Sequence, residues 1–380
     1  MTRRRILVVA MADSVHTARW LAQFRDYPID VELFPSTPHR RLHPLIRELR
    51  DCAGGMRLRV SPWMTFGALP AGILDLAARN SCRAVLLRRR VRRFDPMIVQ
   101  ALEIQHAGYL AWSARTTLAG RRVIVTNWGS DIYWYGRFAR HRRRIARVLA
   151  IATDYSAECA RDHALAREMG FRGRHLPVIP NSGGMPPCED AAPVPSARRT
   201  LVIKGYGTFV GRAPEVLQAL PRLGSALDGF EVVVYSADVR TRAAARRISR
   251  MSGIRLTVIP KHALSHPQVL QLMARARVYV GYSESDAIST AMLEAMSRGA
   301  FPVQTDTSCA NEWIEHGISG LLVPYGDTDA LVDAIRRALT DDALVDAAST
   351  HNAATCRERL DYERVRGIAR TFYEPVSAVA

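Results

Sequence analysis

The chain has 380 residues, with 53 Lys plus Arg against 36 Asp plus Glu, a formal net charge of +17. At roughly 150 residues per domain this length suits two domains, and a hydrophobic share of 48% excludes a disordered chain and supplies a substantial core. No run of 18 apolar residues occurs, which excludes a membrane-spanning helix, while the charge predicts an anionic partner: nucleic acid, a membrane surface or a phosphorylated ligand.

Taken in chain order, Ile6–Met11 reads as a strand and Val15–Arg25 as a helix. Arg3–Arg5 ahead of Ile6–Ala12 mimics a signal peptide, but the apolar run stops at Asp13 and is too short. Strands follow at Asp30–Phe34 and Arg57–Val60, then helices at Gly67–Arg79 and Cys82–Arg93. Met97–Ile104 reads as a strand, Ala107–Leu118 as a helix and Arg122–Thr126 as a strand. Arg147–Ala152 and His175–Ile179 are predicted strands around a helix at Ala157–Met169. Such βαβα alternation argues for a parallel sheet covered on both faces.

Pro180 to Pro195 has a linker composition, and alternation restarts after it. Predicted strands are Thr200–Lys204, Glu231–Tyr235, Ile254–Ile259, Val278–Tyr282 and Phe301–Gln304. Predicted helices are Ala213–Leu220, Val239–Met251, Ser265–Arg275, Ser289–Arg298 and Asp327–Leu339. The expectation is two doubly wound α/β domains, 1–185 and 186–360. A C-terminal helix in 361–380 would pack back on the first. Ligands bind beyond the carboxyl ends of such strands, so the cleft between the two domains is the expected site. The charge is uneven: residues 1–185 carry the whole excess of +17, and residues 186–380 are neutral. Six cysteines (Cys52, Cys82, Cys159, Cys188, Cys309 and Cys356) form no C-x-x-C pair, which suits a reducing cytoplasm.

The densest chemistry lies in Tyr282–Gly299. A polar loop with Glu284, Ser285 and Asp286 leads into a helix that stops at Gly299. Free N–H groups from Ser289 to Ala291, with the Ser289 and Thr290 hydroxyls, make a ready anion site. Asp286 and Glu294 flank that positive end. Carboxylates accept hydrogen bonds from hydroxyls, which points to sugar or ribose beside a phosphate. The bland reading is that Asp286 and Ser289 only cap the helix.

Asp286-x7-Glu294-Ala295-Met296-x2-Gly299-x2-Pro302-Val303 resembles the signature of retaining glycosyltransferases of GT-B fold, family 4 (glycosyltransferase group 1). Ala274–Gly281, Glu312-x4-Gly317-x2-Gly320 and Asp327-x3-Leu331 resemble the flanking segments. The resemblance implies two Rossmann-like domains facing a central cleft, an N-terminal one for the acceptor and a C-terminal one for the nucleotide sugar. It implies that Asp286 binds donor-sugar hydroxyls, Glu294 the ribose, and Ile288, Ser289 and Thr290 the diphosphate. Lys204 and Arg212, with Gly205 and Gly207 between them, are the candidates to neutralise the leaving diphosphate. Lys261 and His262 lie where related enzymes meet the nucleobase. The donor is expected to be a UDP-, GDP- or other nucleotide-diphosphate sugar, with no further cofactor and no metal.

In the first half, His106 ends a predicted strand and could contact donor or acceptor, or act as a base. Asp131, in Thr126–Asp131, is a candidate hydroxyl binder, or an N-cap of a helix at Ile132–Tyr135. His16 and Thr17 lie where the cleft floor is expected, and Pro180-Asn181 resembles the Pro-Asn-Gly close of the family's first domain, with Asn181 a turn residue first and a ligand only by analogy. Arg83–Arg93 mixes arginines with Val85, Leu86, Leu87 and Val91 and reads as a basic amphipathic helix for an anionic membrane. The expected function is retaining sugar transfer to a hydroxyl of a lipid-linked or cell-surface glycan. The expected place is the cytoplasm, peripheral on the inner face of the membrane, with no nucleic acid as partner.

Three alternatives compete. A sugar-nucleotide epimerase of the same fold needs no acceptor. A basic nucleic-acid-binding protein would fit the charge but lacks a recognition motif. Gly205-x-Gly207-x3-Gly211 could be a dinucleotide fingerprint, yet its spacing is wrong and no acidic residue terminates a clear second strand at the right place. Asp327-Thr-Asp329 is formally a metal-binding D-x-D, but sits at a helix start where capping explains it.

Overall fold

A computed structural model describes residues 3–39, 41–52, 55–62, 81–186 and 193–375. The helix predicted over 67–79 and Cys188 lie outside the described residues. The chain divides into two compact units, Met1–Gly184 with Glu363–Ala380, and Met185–Tyr362. The first carries a net charge of +18 and the second −1.

In the first unit seven strands form one parallel sheet: β1 Arg4–Ala10, β2 Ile29–Pro35, β3 Arg57–Val60, β4 Ile98–Leu102, β5 Arg122–Thr126, β6 Asp154–Ser156 and β7 Arg174–His175. Their order is β3-β2-β1-β4-β5-β6-β7, with the reversal between β1 and β4. Alternate residues of β1 feed two cores. Leu7 and Val9 pack with Leu87, Val91 and Ile145. Ile6, Val8 and Ala10 pack with Trp20, Leu21 and Phe24. Burial on both faces is why the strand reads as an unbroken apolar run.

The C-terminal helix Tyr362–Thr371 belongs to this unit and adds Val365, Ala369, Phe372 and Tyr373 to the second core. A buried polar network fastens it. Trp20 Nε1 donates to Gln100 Oε1 and to the Tyr373 hydroxyl, each at 3.1 Å. Tyr373 donates to Gln100 Oε1, and Gln100 Nε2 donates to Thr126 Oγ1 at 2.8 Å.

Several sequence readings are corrected here. Arg147–Ala152 is not a strand: Ala139–Leu149 is a helix, and Ile145, Val148 and Leu149 form its buried stripe at helical spacing. The true strand nearby, β6, is three residues and polar, and its buried Asp154 is held by Arg122 and Arg174. Met97–Ile104 pairs only over β4, and His175–Ile179 only at His175. Ala107–Leu118 is broken into a wide turn at Ile104–Gly108, a short helix at Tyr109–Ser113 and a tight turn at Arg115–Thr117. Ile132–Tyr135 is not helical; a tight turn spans Tyr135–Arg137.

The second unit holds β8 Thr200–Lys204, β9 Gly207–Thr208, β10 Gly211–Arg212, β11 Glu231–Ala237, β12 Leu256–Pro260, β13 Val278–Gly281, β14 Phe301–Thr305 and β15 Leu321–Val323. Six of these form a parallel sheet in the order β12-β11-β8-β13-β14-β15, while β9 and β10 make a small antiparallel hairpin. The five predicted helices match closely, and an unpredicted sixth, Asp342–Arg359, follows them. Caps explain their ends: Asp238 opens Val239–Ser252, which stops at Gly253 with φ of 74°. Ser265 and Gln268 form a capping box on His266–Arg275.

Candidate active site

In the second unit β8 and β13 lie side by side at the sheet centre, and their carboxyl ends carry the two predicted loops. The β9–β10 hairpin is stitched to the loop after β13. Arg212 N donates to Tyr282 O at 2.6 Å, and Glu284 N donates to Phe209 O at 2.9 Å. From the other side, Ser283 N donates to Thr305 Oγ1 at 3.0 Å and Thr307 Oγ1 to Ser283 O at 2.6 Å. Thus Lys204, Arg212, Asp286 and the start of helix Thr290–Ser297 are brought together by strand pairing and by these loop hydrogen bonds.

The helix N-terminus is capped by Ser289, whose hydroxyl accepts from Met292 N at 3.3 Å and meets the Tyr279 hydroxyl at 3.4 Å. Burial pushes the Tyr279 phenol up to about 12. Ser289 and Ile288 are buried, and Thr290 is half-buried. Capping occupies the Ser289 side chain, so the anion donors of this turn are its first backbone N–H groups. Asp286 Oδ1 accepts from Ala287 N at 3.0 Å.

Glu294 is buried on this helix and meets His266 Nε2 at 2.9 Å. His266 escaped the sequence reading, because its partner is 28 residues away. Lys204 closes β8. Burial disfavours its charge, but Tyr279, Asp286, Tyr206 and Glu294 outweigh that and hold the ammonium above its ordinary range. Lys204 and Lys261 both approach the Tyr206 ring, at 5.0 and 5.3 Å from its centre. Arg212 pairs with Glu284, and Glu215 lies 3.8 Å from it. His262 follows Lys261 with a positive φ of 67°.

The glycines have packing reasons. A Cβ on Gly205 would lie 2.6 Å from Tyr235 O and 2.7 Å from Ala237 Cα, on neighbouring β11. One on Gly207 would lie 2.9 Å from Asp238 Oδ1. Asp238 follows β11 as the cap of helix Val239–Ser252. Its carboxylate is spent on Gly207 N at 2.7 Å and Thr241 N at 2.9 Å, so it orders the hairpin. The Asp327-x-Asp329 pair is spent likewise: Asp327 caps Ala330 N and Asp329 pairs with Arg222.

In the first unit the carboxyl ends of β4 and β5 hold Glu103, His106 and Asp131. Asp131 is buried, and its Oδ2 accepts from Ile104 N and Trp128 N, both at 2.9 Å. Burial first, then the Glu103 charge, holds its carboxyl well above the usual range. His106 is half-exposed and leans on Glu103, which raises its pKa against the opposing effect of burial. His16 stacks near Trp128 at 5.3 Å between ring centres. Thr17 and Asn181 are buried, and Asn181 Nδ2 donates to Asn127 O at 3.0 Å.

The basic helix Ser81–Phe94 turns Ala84, Leu87 and Val91 into its own core. Of Val85, Leu86, Leu87 and Val91 only Val85 is exposed, beside exposed Arg89, Arg92 and Arg93, while Leu86 packs partly buried against the same core. An open cavity of about 340 Å³ is lined by Phe34, Pro62, Leu86, Arg89, Arg90 and Arg93. No helix among the described residues is long and apolar enough to cross a membrane.

Residues 204–341 match the family "Glycosyl transferases group 1". No curated protein sequence matches the chain. Its structure resembles HepE of Anabaena, solved with UDP and with UDP and glucose. The complex with UDP has a TM-score of 0.70 and 14% identity over 97% of this chain and 99% of that one. It also resembles sucrose-phosphate synthase of Thermosynechococcus elongatus, with a TM-score of 0.70 and 15% identity over 98% of each chain. The apo lipopolysaccharide outer core galactosyltransferase WaaB aligns at a TM-score of 0.65 and 16% identity, over 97% of this chain and 100% of that one. The chain thus has two Rossmann-like units in the GT-B arrangement of folds seen in these glycosyltransferases, and its second unit carries a segment that matches the group 1 glycosyl transferase family.

Proposed function

We propose that the chain transfers a sugar, with retention, from a nucleotide-diphosphate sugar to a hydroxyl of a glycan or lipid-linked acceptor. One observation carries the reading: the stitched hairpin and loop of the second unit set Lys204 among Asp286, Glu294 and the free N–H groups of helix Thr290–Ser297. In this reading the diphosphate sits on Ser289, Thr290 and Ile288 N–H groups, with Lys204 and Arg212 taking up charge as it leaves. Gly205 and Gly207 shape that loop. Asp286 holds sugar hydroxyls, Glu294 the ribose, and Lys261 the base. UDP is the first donor nucleotide to test, because HepE was solved with it. No metal step is invoked, since two cations and a helix end already meet the diphosphate.

The acceptor belongs to the first unit, with His106 and Asp131 as its candidate polar groups. The net charge of +18 on that unit supports an anionic surroundings for the acceptor. Docking at the cytoplasmic face of a membrane would be mainly electrostatic, through Arg89, Arg92 and Arg93, because the apolar stripe of that helix is already buried.

A thermal-shift series with UDP, GDP, ADP, CMP and TDP sugars tests the donor. A true donor at 100 times its Kd stabilises by about 2.7 kcal/mol. Absence of any shift would remove the donor assignment. Product analysis by NMR reads the anomeric configuration, and a new sugar nucleotide formed from donor alone would make the chain an epimerase instead.

A further inference from the structure

Glu103 ends β4 with φ of 81° and ψ of 154°. That region is essentially reserved for glycine, and a side chain persists there only when its surroundings hold it. The chain then makes a wide turn, closed by Gly108 N donating to Glu103 O at 3.0 Å, a spacing of five residues. Wide turns of this kind concentrate at functional sites.

The Glu103 carboxylate is fully engaged. It accepts from His106 N at 2.9 and 3.0 Å and from Ala107 N, and Oε2 lies 3.2 Å from His106 Nδ1. An ionised carboxylate only accepts, so Nδ1 carries the hydrogen. His106 Nε2 bonds to no protein atom among the described residues, and the side chain is 54% exposed. A cap alone would not need this residue. Asp, Asn or Ser caps a backbone N–H from an ordinary backbone conformation; reaching the ring three residues on takes the longer Glu side chain.

We propose that Glu103 is a positioning residue for the transfer reaction: it holds His106 as the Nδ1–H tautomer, with Nε2 presented to the substrate. The inference rests on the proposed sugar transfer, and on His106 meeting a donor or acceptor hydroxyl. Asp131 supports it from behind. Burial and the neighbouring Glu103 charge push the buried Asp131 carboxyl well above its ordinary range, while its Oδ2 accepts from Ile104 N and so braces the turn that carries His106. Arg83 opposes the imidazolium from helix Ser81–Phe94.

The test compares wild type, Glu103→Gln, His106→Gln and the double variant, with folding checked by circular dichroism. Two-dimensional ¹H–¹⁵N spectra of the imidazole report tautomer and titration. In wild type, His106 shows the Nδ1–H form and titrates above an ordinary histidine. In Glu103→Gln its pKa falls, and the corresponding limb of the kcat–pH profile moves to lower pH. The variant loses at least tenfold in kcat with donor KM within twofold. Glu103→Gln adds nothing in the His106→Gln background, as expected if it acts through the ring. An unmoved His106 titration with kcat lost would leave Glu103 merely structural and overturn the proposal. If Glu103→Gln does not fold, the wild-type titration still decides: a His106 pKa at or below the ordinary value defeats it. If no donor is ever turned over, the sugar-transfer reading fails, while the imidazole spectra still test the Glu103–His106 coupling.

Discussion

Glu294, buried on helix Thr290–Ser297, is held by His266 Nε2 at 2.9 Å. The histidine stands at the first turn of another helix and fixes which way the carboxylate faces. Glu294→Ala removes the proposed ribose acceptor and is expected to weaken donor binding by about 1–3 kcal/mol, roughly 5–150-fold in KM. His266→Gln keeps a donor and should cost no more than a few fold. Initial rates against donor concentration distinguish the two. Equal losses would mean His266 itself binds the nucleotide.

Lys204 and Arg212 are expected to act on the leaving diphosphate, where charge grows as the bond breaks. Lys204→Ala should lower kcat by about 10²–10³-fold, the loss typical of one charge-stabilising donor. Arg212→Ala should lower it less, because Glu284 and Glu215 compete for its guanidinium. Kinetics with a saturating donor test the order. Near-normal turnover in both would remove this assignment.

Tyr373 joins Trp20 and Gln100 inside the first unit. Tyr373→Phe leaves one acceptor less satisfied and is expected to destabilise that unit by about 1 kcal/mol. Truncation before Tyr362 uncovers Val365, Ala369 and Phe372 as well and should cost several kcal/mol, at roughly 1.5–3 for each large apolar side chain re-exposed. Chemical denaturation with two transitions would read this unit separately.

His163 and His175 stack at 4.6 Å between ring centres beside Tyr155 and Phe171. Burial, then His175 and Arg167, pulls His163 down to about 4, and burial with Arg167 lowers His175. Both folded-state values lie below the unfolded one. The unfolded chain therefore binds more protons, and stability falls as pH drops through 6.5 towards 4. His163→Phe should flatten this loss. Melting temperatures between pH 7.5 and 4.5 check it, and an unchanged slope would remove His163 as its source.

Arg89, Arg92 and Arg93 lie exposed on helix Ser81–Phe94. Replacing all three by Gln should weaken binding to vesicles containing phosphatidylserine by about 3 kcal/mol at low salt, near 1 kcal/mol per residue. Co-sedimentation measures it. Binding that survives the change, or survives high salt, would assign docking to another surface.

The donor loops were legible because their signals are contiguous. A strand, a polar loop and a capped helix follow one another within Val278–Gly299, and acidic residues at 286 and 294 fall on that frame. The first unit was harder to read. The helix Ala139–Leu149 ends in apolar Ile145, Val148 and Leu149, and a short window could not tell its last turn from a strand. The true strand β6 is three residues long and polar, because its buried Asp154 is neutralised by Arg122 and Arg174 on adjacent strands.

Sequence by itself determined two parallel α/β units, the uneven charge and the loop-and-helix frame that carries the candidate donor residues, since periodicity and capping are local properties of the chain. Only the tertiary structure decided what those residues touch. His266 reaches Glu294 across 28 residues, Asp238 holds Gly207 across 31, and Tyr373 meets Gln100 across 273. These partnerships depend on strand order and register, which no local window contains. Glu103 differs in being local: a glutamate holds a glycine-like backbone while its carboxylate takes two N–H partners and an imidazole from the next four residues.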